Sequence, residues 1–260
     1  MLEWIDTHCH LDHHLYNADI EQVIREARET GMLQAIIPGA DPKDLPRALD
    51  LCASYQELYF AVGAHPLDCQ HFDLAELKRY IQHPQCVAVG ECGLDYHRLG
   101  SNDEDTKTHQ KEVFKAQIEL ALEYQKPLIV HIREASQDAY HILKAYPHLR
   151  GVLHCFNGDA ILLGLSENFY YGIGGVATFK NAKSLQSILP QIPLDRLLLE
   201  TDAPYLTPHP FRGTRNEPKY IPLVLQKLSE ILKISPTDLA HTTNTNATTL
   251  FSLMPHAKVS

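Results

Sequence analysis

The sequence predicts an α/β protein, a single (β/α)8 TIM barrel, because eight short apolar segments alternate with amphipathic segments along its 260 residues. Apolar segments with little internal polarity are typical of parallel strands that helices cover on both faces. Eight strand–helix units close into a barrel whose active site lies at the carboxyl ends of the strands. An open doubly wound sheet is less favoured, because no glycine-rich loop follows the first segment.

Each element follows from its local pattern. Apolar and β-branched residues predict strands at 4–7, 34–38, 58–63, 86–90, 127–130, 151–153, 169–172 and 196–199. Helical periodicity predicts helices at 19–29, 46–53, 74–81, 108–124, 136–145, 159–165, 181–189, 220–232 and 235–253. The clearest apolar stripe, in the fourth of these helices, consists of Val113, Phe114, Ile118, Ala121 and Leu122. No repeat or linker interrupts the alternation, so residues 1–260 are predicted to form one domain.

The composition limits the classes of function. The sequence has 23 Lys and Arg residues against 32 Asp and Glu residues, a net charge of −9. This balance argues against a protein that coats nucleic acid, but not against an enzyme that acts on nucleic acid through metal ions. Six scattered cysteines without a CxxC pair predict reduced, buried thiols in a cytoplasmic protein. Without a long apolar run or a signal sequence, no membrane partner is expected.

Histidines and carboxylates collect where the predicted strands end. Of the 16 histidines, His8 and His10 lie two apart after the first strand, so their side chains point to the same side. The polar residues at these ends are Asp6, His8, His10, His65, Glu91, His131, Arg133, His154, Glu200 and Asp202, and candidate metal ligands are found among the histidines and carboxylates. A lone histidine at a strand end is more often structural, but the repetition on several strands favours a metal site.

The ligand types suggest which cations would bind. Imidazole with carboxylate suits zinc, manganese or iron, whereas carboxylate with water suits magnesium. Six ligands are too many for one tetrahedral ion that keeps an open position, and they fit two ions that share a bridging carboxylate. Of the other histidines, His65 is a candidate substrate contact, and the rest, including His256, are predicted to be surface residues.

The residues around these ligands resemble the TatD family of metal-dependent hydrolases, within the amidohydrolase-like barrels. The matching motifs are Asp6-Thr7-His8-Cys9-His10-Leu11-Asp12, Gly90-Glu91-Cys92-Gly93-Leu94-Asp95-Tyr96, His131-Ile132-Arg133-Glu134-Ala135, His154-Cys155-Phe156, Glu200-Thr201-Asp202-Ala203-Pro204-Tyr205-Leu206, Arg212-Gly213 and Asn216-Glu217-Pro218. The resemblance implies two divalent cations, Zn²⁺, Mg²⁺ or Mn²⁺, held by the following residues: His8, His10 and Asp202 at one ion, His131 and His154 at the other, and Glu91 between them.

The resemblance also implies deoxyribonuclease activity, in some relatives 3′–5′ exonuclease, so the expected partner is a phosphodiester substrate such as DNA. In the hypothesis for the mechanism, the cations acidify a water molecule, and Asp202 accepts its proton as the catalytic base. The predicted substrate-binding residues are His65, Arg133 and Arg212, because guanidinium suits phosphate and the loop after the eighth strand often binds phosphate in barrels. In that loop, Arg215 and Lys219 are as well explained as solvated charges.

Two alternatives remain open from the sequence. The same metal centre serves an amidohydrolase or lactonase that cleaves C–N or ester bonds, and an apolar pocket would favour that reaction. A barrel that holds metal without catalysis is the more distant alternative. Catalytic sites keep an open coordination position, so a metal coordinated only by protein would support it. The sequence does not determine the natural substrate, the native metal, the exonuclease or endonuclease mode, the oligomeric state, or the role of the loop at 96–105.

Overall fold

The computed structural model describes residues 2–100 and 102–254, and in it eight parallel strands form one sheet in sequence order. The strands are β1 (Trp4–Asp6), β2 (Met32–Ile37), β3 (Leu58–Val62), β4 (Cys86–Asp95), β5 (Leu128–Arg133), β6 (Gly151–Leu153), β7 (Phe169–Ile173) and β8 (Leu197–Leu199). The backbone nitrogen of Thr7 donates to the carbonyl of Leu199 at 3.0 Å, which joins β8 to the end of β1. The predicted barrel is confirmed.

The helices follow the predicted order with small shifts of their ends. They are α1 (Ile20–Glu29), α2 (Leu45–Ser54), α3 (Leu74–Tyr80), α4 (Glu104–Glu123), α5 (Ser136–Lys144), α6 (Lys183–Ile188), α7 (Ile221–Leu232) and α8 (Pro236–Phe251). The segment predicted as a helix at 159–165 forms 3-10 turns over Ala160–Leu165 instead. None of the helices described here is long and apolar enough to cross a membrane.

The core has two layers, which the alternation of side chains along each strand separates. The outer layer lies between the sheet and the helices and contains Trp4, Ile37, Phe60 and Phe114. A second cluster takes the alternate strand residues, among them Ile5, Ile36, Ile129 and Leu198, together with Ala247, Leu250 and Phe251 of α8. Because these strand residues point into the barrel, the carboxyl-terminal half of α8 closes the barrel interior at the end where the strands begin.

The fourth strand differs most from its prediction. It was expected to end at residue 90, but β4 runs to Asp95 and pairs with β5 as far as Arg133. The prediction is wrong because the polar Glu91 interrupts the apolar pattern, although this side chain is buried. The six cysteines are free, as expected; five are buried, and Cys155 is half-buried. His256 lies outside the described residues, as does Ser101 in the loop at 96–105.

Candidate metal centre

The six residues predicted as metal ligands come together at the carboxyl ends of the strands. Glu91 lies within β4 and His131 within β5, while the others follow β1, β6 and β8. Every one of the six belongs to a group of side chains whose candidate ligand atoms lie within 4.8 Å of one another. The fold therefore assembles the set that the sequence pattern singles out.

Glu91 stands at the centre of this cluster, and its two oxygens face different imidazoles. Its Oε2 lies 3.2 Å from Nε2 of His8 and 3.6 Å from Nε2 of His10. Its Oε1 lies 2.8 Å from Nδ1 of His131 and 3.5 Å from Nε2 of His154. One carboxylate thus divides the histidines into two pairs, which is the arrangement that a bridging ligand requires.

Asp202 completes the ring of candidate ligands. Its Oδ1 lies 3.5 Å from Nε2 of His10, 3.7 Å from that of His8 and 3.8 Å from that of His154. Four ligands at about 2.1 Å from a tetrahedral ion lie about 3.4 Å apart, so the observed separations fit cations held between these atoms.

The histidines are arranged as metal ligands would be. The Nε2 atoms of His8 and His10 face each other at 3.2 Å, although a neutral imidazole has one lone pair and one proton to offer. The rings of His8 and His154 stack at 3.5 Å between centroids, and both side chains are almost fully buried. Converging nitrogen lone pairs in a buried position are the donor set that a divalent cation satisfies.

The electrostatics of the cluster also favour added positive charge. Burial opposes the ionised form of Glu91, but the charges of His154 and His8 and the hydrogen bond with His131 hold its pKa well below the usual range. Burial likewise opposes the imidazolium of His154, but Glu200 and Glu91 raise its pKa to about 10. The carboxylates therefore stabilise a positive charge on His154. A bound metal cation would supply positive charge at the same place.

Two carboxylates around the cluster had no assigned role in the sequence analysis. Glu200 is fully buried; its Oε1 lies 3.1 Å from Nδ1 of His154 and accepts a hydrogen bond from the Cys155 backbone nitrogen at 2.6 Å. Asp95 lies 3.2 Å from Nε2 of His131. Carboxylates at the second nitrogen of a ligating histidine orient its ring and raise its basicity. Both acids lie in the motifs at the strand ends, and this position is the sequence signal by which they could have been identified.

Of the predicted substrate-binding residues, His65 contacts the cluster, whereas Arg133 and Arg212 have no hydrogen bond or ion pair with it in the part of the chain that the structure describes. Nε2 of His65 is 3.6 Å from Oε1 of Glu91, and its Nδ1 accepts a hydrogen bond from the Leu67 backbone. Arg133 is exposed at the end of β5, and Arg212 is exposed with its guanidinium 3.7 Å from the ring centroid of Phe179. Neither guanidinium forms an ion pair within residues 2–100 and 102–254.

Arg215 and Lys219, by contrast, are engaged in ion pairs. Arg215 binds Asp19 at 2.7 Å and Glu217 at 2.9 Å. Lys219 binds Glu26 and Glu217, both at 2.7 Å. These contacts attach the loop after β8 to α1. The two basic side chains therefore stabilise the loop and do not point at the metal cluster.

An open groove of about 570 Å³ lies at the carboxyl ends of β5 and β6. None of the six candidate ligands lines it; its lining residues are Ile132, Arg133, Glu134, Ser136, Asn157, Gly158, Asp159, Ala160 and Ser184. Arg133 lies two residues beyond His131 and Asn157 three beyond His154, so the groove and the cluster share the ends of the same two strands. The lining mixes polar and apolar side chains.

Comparisons with known proteins agree with this geometry. The family model described as TatD related DNase matches residues 5–252. The chain is 41% identical to the "Uncharacterized metal-dependent hydrolase YabD" of Bacillus subtilis, over 95% of this chain and 98% of that protein. It is 37% identical to the "3'-5' ssDNA/RNA exonuclease TatD" of Erwinia tasmaniensis, over 90% and 94% of the two chains.

A solved structure is similar over nearly the whole chain as well. The YjjV protein of Escherichia coli K12, a TatD homologue, superposes with a TM-score of 0.88 at 31% identity, over 97% of this chain and 99% of that chain. The family match, the identities and the shared barrel all extend over the residues that build the cluster. The chain therefore belongs to the TatD family of metal-dependent hydrolases.

Proposed function

We propose that the protein is a phosphodiesterase with two divalent cations at its active site, and that its substrate is DNA. The observation that carries this proposal is the central position of Glu91, whose two oxygens face separate pairs of imidazoles. Two cations about 3.5–4 Å apart clamp the attacking and leaving oxygens of a phosphodiester during hydrolysis. The family description and the name of the Erwinia relative support a nuclease.

Asp202 is the residue of the cluster best suited to accept a proton. When bound, the cations supply Lewis acidity and bring the pKa of a water molecule close to neutral. The side chain of Asp202 is 15% exposed, whereas that of Glu91 is 4% exposed, so Asp202 is the carboxylate that water and substrate reach. Asp202 therefore orients the attacking water and takes its proton as the general base.

Hydrogen-bond donors around the cluster suit a phosphate. Because Nδ1 of His65 accepts from the Leu67 backbone, the ring proton lies on Nε2, which faces the cluster as a donor. The guanidinium of Arg212 stacks on a ring through its face, which leaves its N–H edge free for phosphate oxygens. With Arg133 in the open groove, these groups favour a phosphodiester over a neutral ester or amide.

The proposal is tested with Glu91→Ala and Asp202→Asn, measured for bound metal and for hydrolysis of single-stranded DNA, RNA and small phosphodiesters. Glu91→Ala removes both central oxygens, so we expect metal to be lost and hydrolysis to fall by at least about 100-fold. Asp202→Asn removes the base, so we expect a fall of about 10²–10⁴-fold.

Asp195→Asn is the control, because Asp195 is exposed in the turn before β8, at the other end of the barrel. This variant should keep both metal and activity. Full metal content with full hydrolysis in Glu91→Ala would contradict the bridging role. Activity that survives in Asp202→Asn would assign the proton transfer to another residue or the hydrolysis to a contaminant.

A further inference from the structure

The loop after β8 holds a half-exposed aromatic side chain beside the metal cluster. Tyr205 follows the candidate base Asp202 by three residues, and its side chain is 50% exposed. Burying an aromatic ring is favourable, and most large apolar side chains of the described residues are buried. An exposed ring at the edge of a catalytic cluster therefore needs a reason.

The backbone of Tyr205 is held firmly in place. Its nitrogen donates to the carbonyl of Asp202 at 2.8 Å, and its own carbonyl accepts from Nδ2 of Asn216 at 2.6 Å. Asn216 is completely buried, and its Nδ2 also donates to the Thr201 carbonyl at 2.9 Å. The position of the ring is thus fixed by the same loop that fixes Asp202, so no loop rearrangement is needed to offer it to a ligand.

The ring of Tyr205 is close to the candidate ligands. It meets His10 edge-on, with centroids 6.0 Å apart and the planes at 74°, and meets His13 in the same manner at 5.8 Å and 76°. The ring therefore lies at the edge of the cluster, within reach of one nucleotide whose phosphate is bound there.

The side chain packs edge-on against His10 and His13, but its hydroxyl does not hold it in place. The Tyr205 hydroxyl has no hydrogen-bond partner among the described residues, whereas the buried Tyr16 donates to the Asn216 carbonyl at 2.6 Å. In proteins that bind single strands, exposed aromatic rings stack on successive bases, and they do so without regard to sequence because every base has a π-face. Bases in a duplex are already stacked and cannot be reached in this way.

We propose that Tyr205 stacks on the base of the nucleotide whose phosphate lies at the metal cluster, and so favours a nucleotide that carries a base over an abasic one. This inference rests on the proposed phosphodiesterase function and adds a specificity-determining residue to it. The ring supplies affinity and orientation for the nucleotide, while the hydrolytic residues are those of the cluster. The hydroxyl is not needed for stacking, so a phenylalanine would serve equally well.

The test compares Tyr205→Ala and Tyr205→Phe with the wild type on a single-stranded oligonucleotide and on the same strand with abasic residues at the cleaved positions. Binding of an uncleavable phosphorothioate version of each strand is measured by fluorescence anisotropy. Leu194→Ala is the matched control, because Leu194 is 42% exposed but lies in the turn before β8, at the opposite end of the barrel.

We expect Tyr205→Ala to weaken binding and to lower kcat/KM on the intact strand by roughly 5- to 100-fold. On the abasic strand the change should stay within about twofold, because the stacking partner is already missing. Tyr205→Phe and Leu194→Ala should behave as the wild type on both strands.

Other outcomes separate this inference from the proposed function. If Tyr205→Ala affects intact and abasic strands equally, or leaves binding of the intact strand unchanged, stacking on Tyr205 is wrong even though hydrolysis remains. If the metal-loaded wild type cleaves neither strand but binds the intact one in a Tyr205-dependent manner, stacking stands and the phosphodiesterase proposal fails. A loss of both activities in Tyr205→Phe would assign the effect to the hydroxyl and overturn the inference.

Discussion

Single residues just beyond the strands adopt a backbone conformation that few side chains favour. Glu134, Cys155 and Asp202 have φ angles of 55°, 44° and 58°, in the left-handed region. Such residues cost about 1–3 kcal/mol each and persist where their surroundings fix them. Asp202 donates its backbone N–H to the His8 carbonyl at 2.9 Å, and Cys155 donates to Glu200 at 2.6 Å. The strain thus turns the chain so that the adjacent side chains enter the cluster.

The cysteines give a prediction at the same scale. Burial raises the pKa of Cys52, Cys69 and Cys86 to about 12, and burial followed by the charges of Asp202 and Glu200 raises that of the half-buried Cys155. Because a raised pKa keeps a thiol protonated, and the thiolate is the reactive form, we expect no rapid reaction with Ellman's reagent at pH 8 in the folded protein.

In guanidinium chloride all six thiols should react, which provides the control for the count. The pKa of the unfolded thiols is about 8.5, so about a quarter is thiolate at pH 8, which suffices for complete reaction. A single cysteine that reacts rapidly in the native state would contradict the protection by burial, and reaction of Cys155 would place its thiol in contact with solvent at the rim.

At the scale of elements, the sequence predicted the eight strands and their order but not how far each strand extends. Apolar runs identify the buried middle of a strand, and the ends that carry the chemistry are polar, so β4 beyond residue 90 was missed. The candidate ligands still come together, because residues near the carboxyl ends of parallel strands meet wherever each strand stops. Glu200 and Asp95 could not be given roles in advance, since orienting a ring depends on distances between different strands.

The extension of β4 depends on Gly93, which gives a prediction for this element. Gly93 has a φ of 141°, and a Cβ at this position would lie 2.0 Å from the His131 carbonyl oxygen. Gly93→Ala therefore adds backbone strain and a backbone clash, and we expect a loss of about 2–5 kcal/mol in the free energy of unfolding. The shift of β5 would also displace His131, so metal affinity should fall.

Gly213→Ala is the matched control for the effect of φ alone. Gly213 has a φ of 88°, but a Cβ there meets nothing within 4 Å in the described part of the chain. We expect this variant to lose only about 1–2 kcal/mol and to keep its metal affinity. Equal losses of stability in urea unfolding of the two variants would show that close packing of β4 on β5 contributes nothing beyond the backbone strain.

At the scale of the whole molecule, the two ends of the barrel have different tasks. At the carboxyl ends of the strands lie buried charged side chains, an arrangement that is unfavourable without cations. At the opposite end, where the strands begin, the barrel interior is apolar and is closed by the carboxyl-terminal half of α8. The sequence predicted a helix at 235–253, but its pattern does not tell which surface of the barrel the helix covers. That assignment depends on the alternate strand residues, such as Ile36 and Leu198, which point inward only once the sheet has curved.

This division predicts that packing at the end of the barrel closed by α8 can be destabilised without changing the chemistry at the carboxyl ends of the strands. Phe251 is 2% exposed and packs in the interior cluster, so Phe251→Ala should lower the free energy of unfolding by about 3–5 kcal/mol. In Met254→Ala, a side chain that is 70% exposed is removed from the same end, and we expect a change within about 0.5 kcal/mol.

Both variants are measured by urea unfolding with metal chelated, so that metal binding does not add to the free energy of unfolding. At temperatures where Phe251→Ala remains folded, its metal content and its hydrolysis should equal those of the wild type, because the hydrogen bonds of α8 in the described chain reach Glu3, Leu194 and Leu197, where β1 and β8 begin. A folded Phe251→Ala protein that fails to bind metal would mean that packing of α8 and geometry of the cluster are coupled through the strands, and the two ends would have to be treated as one unit.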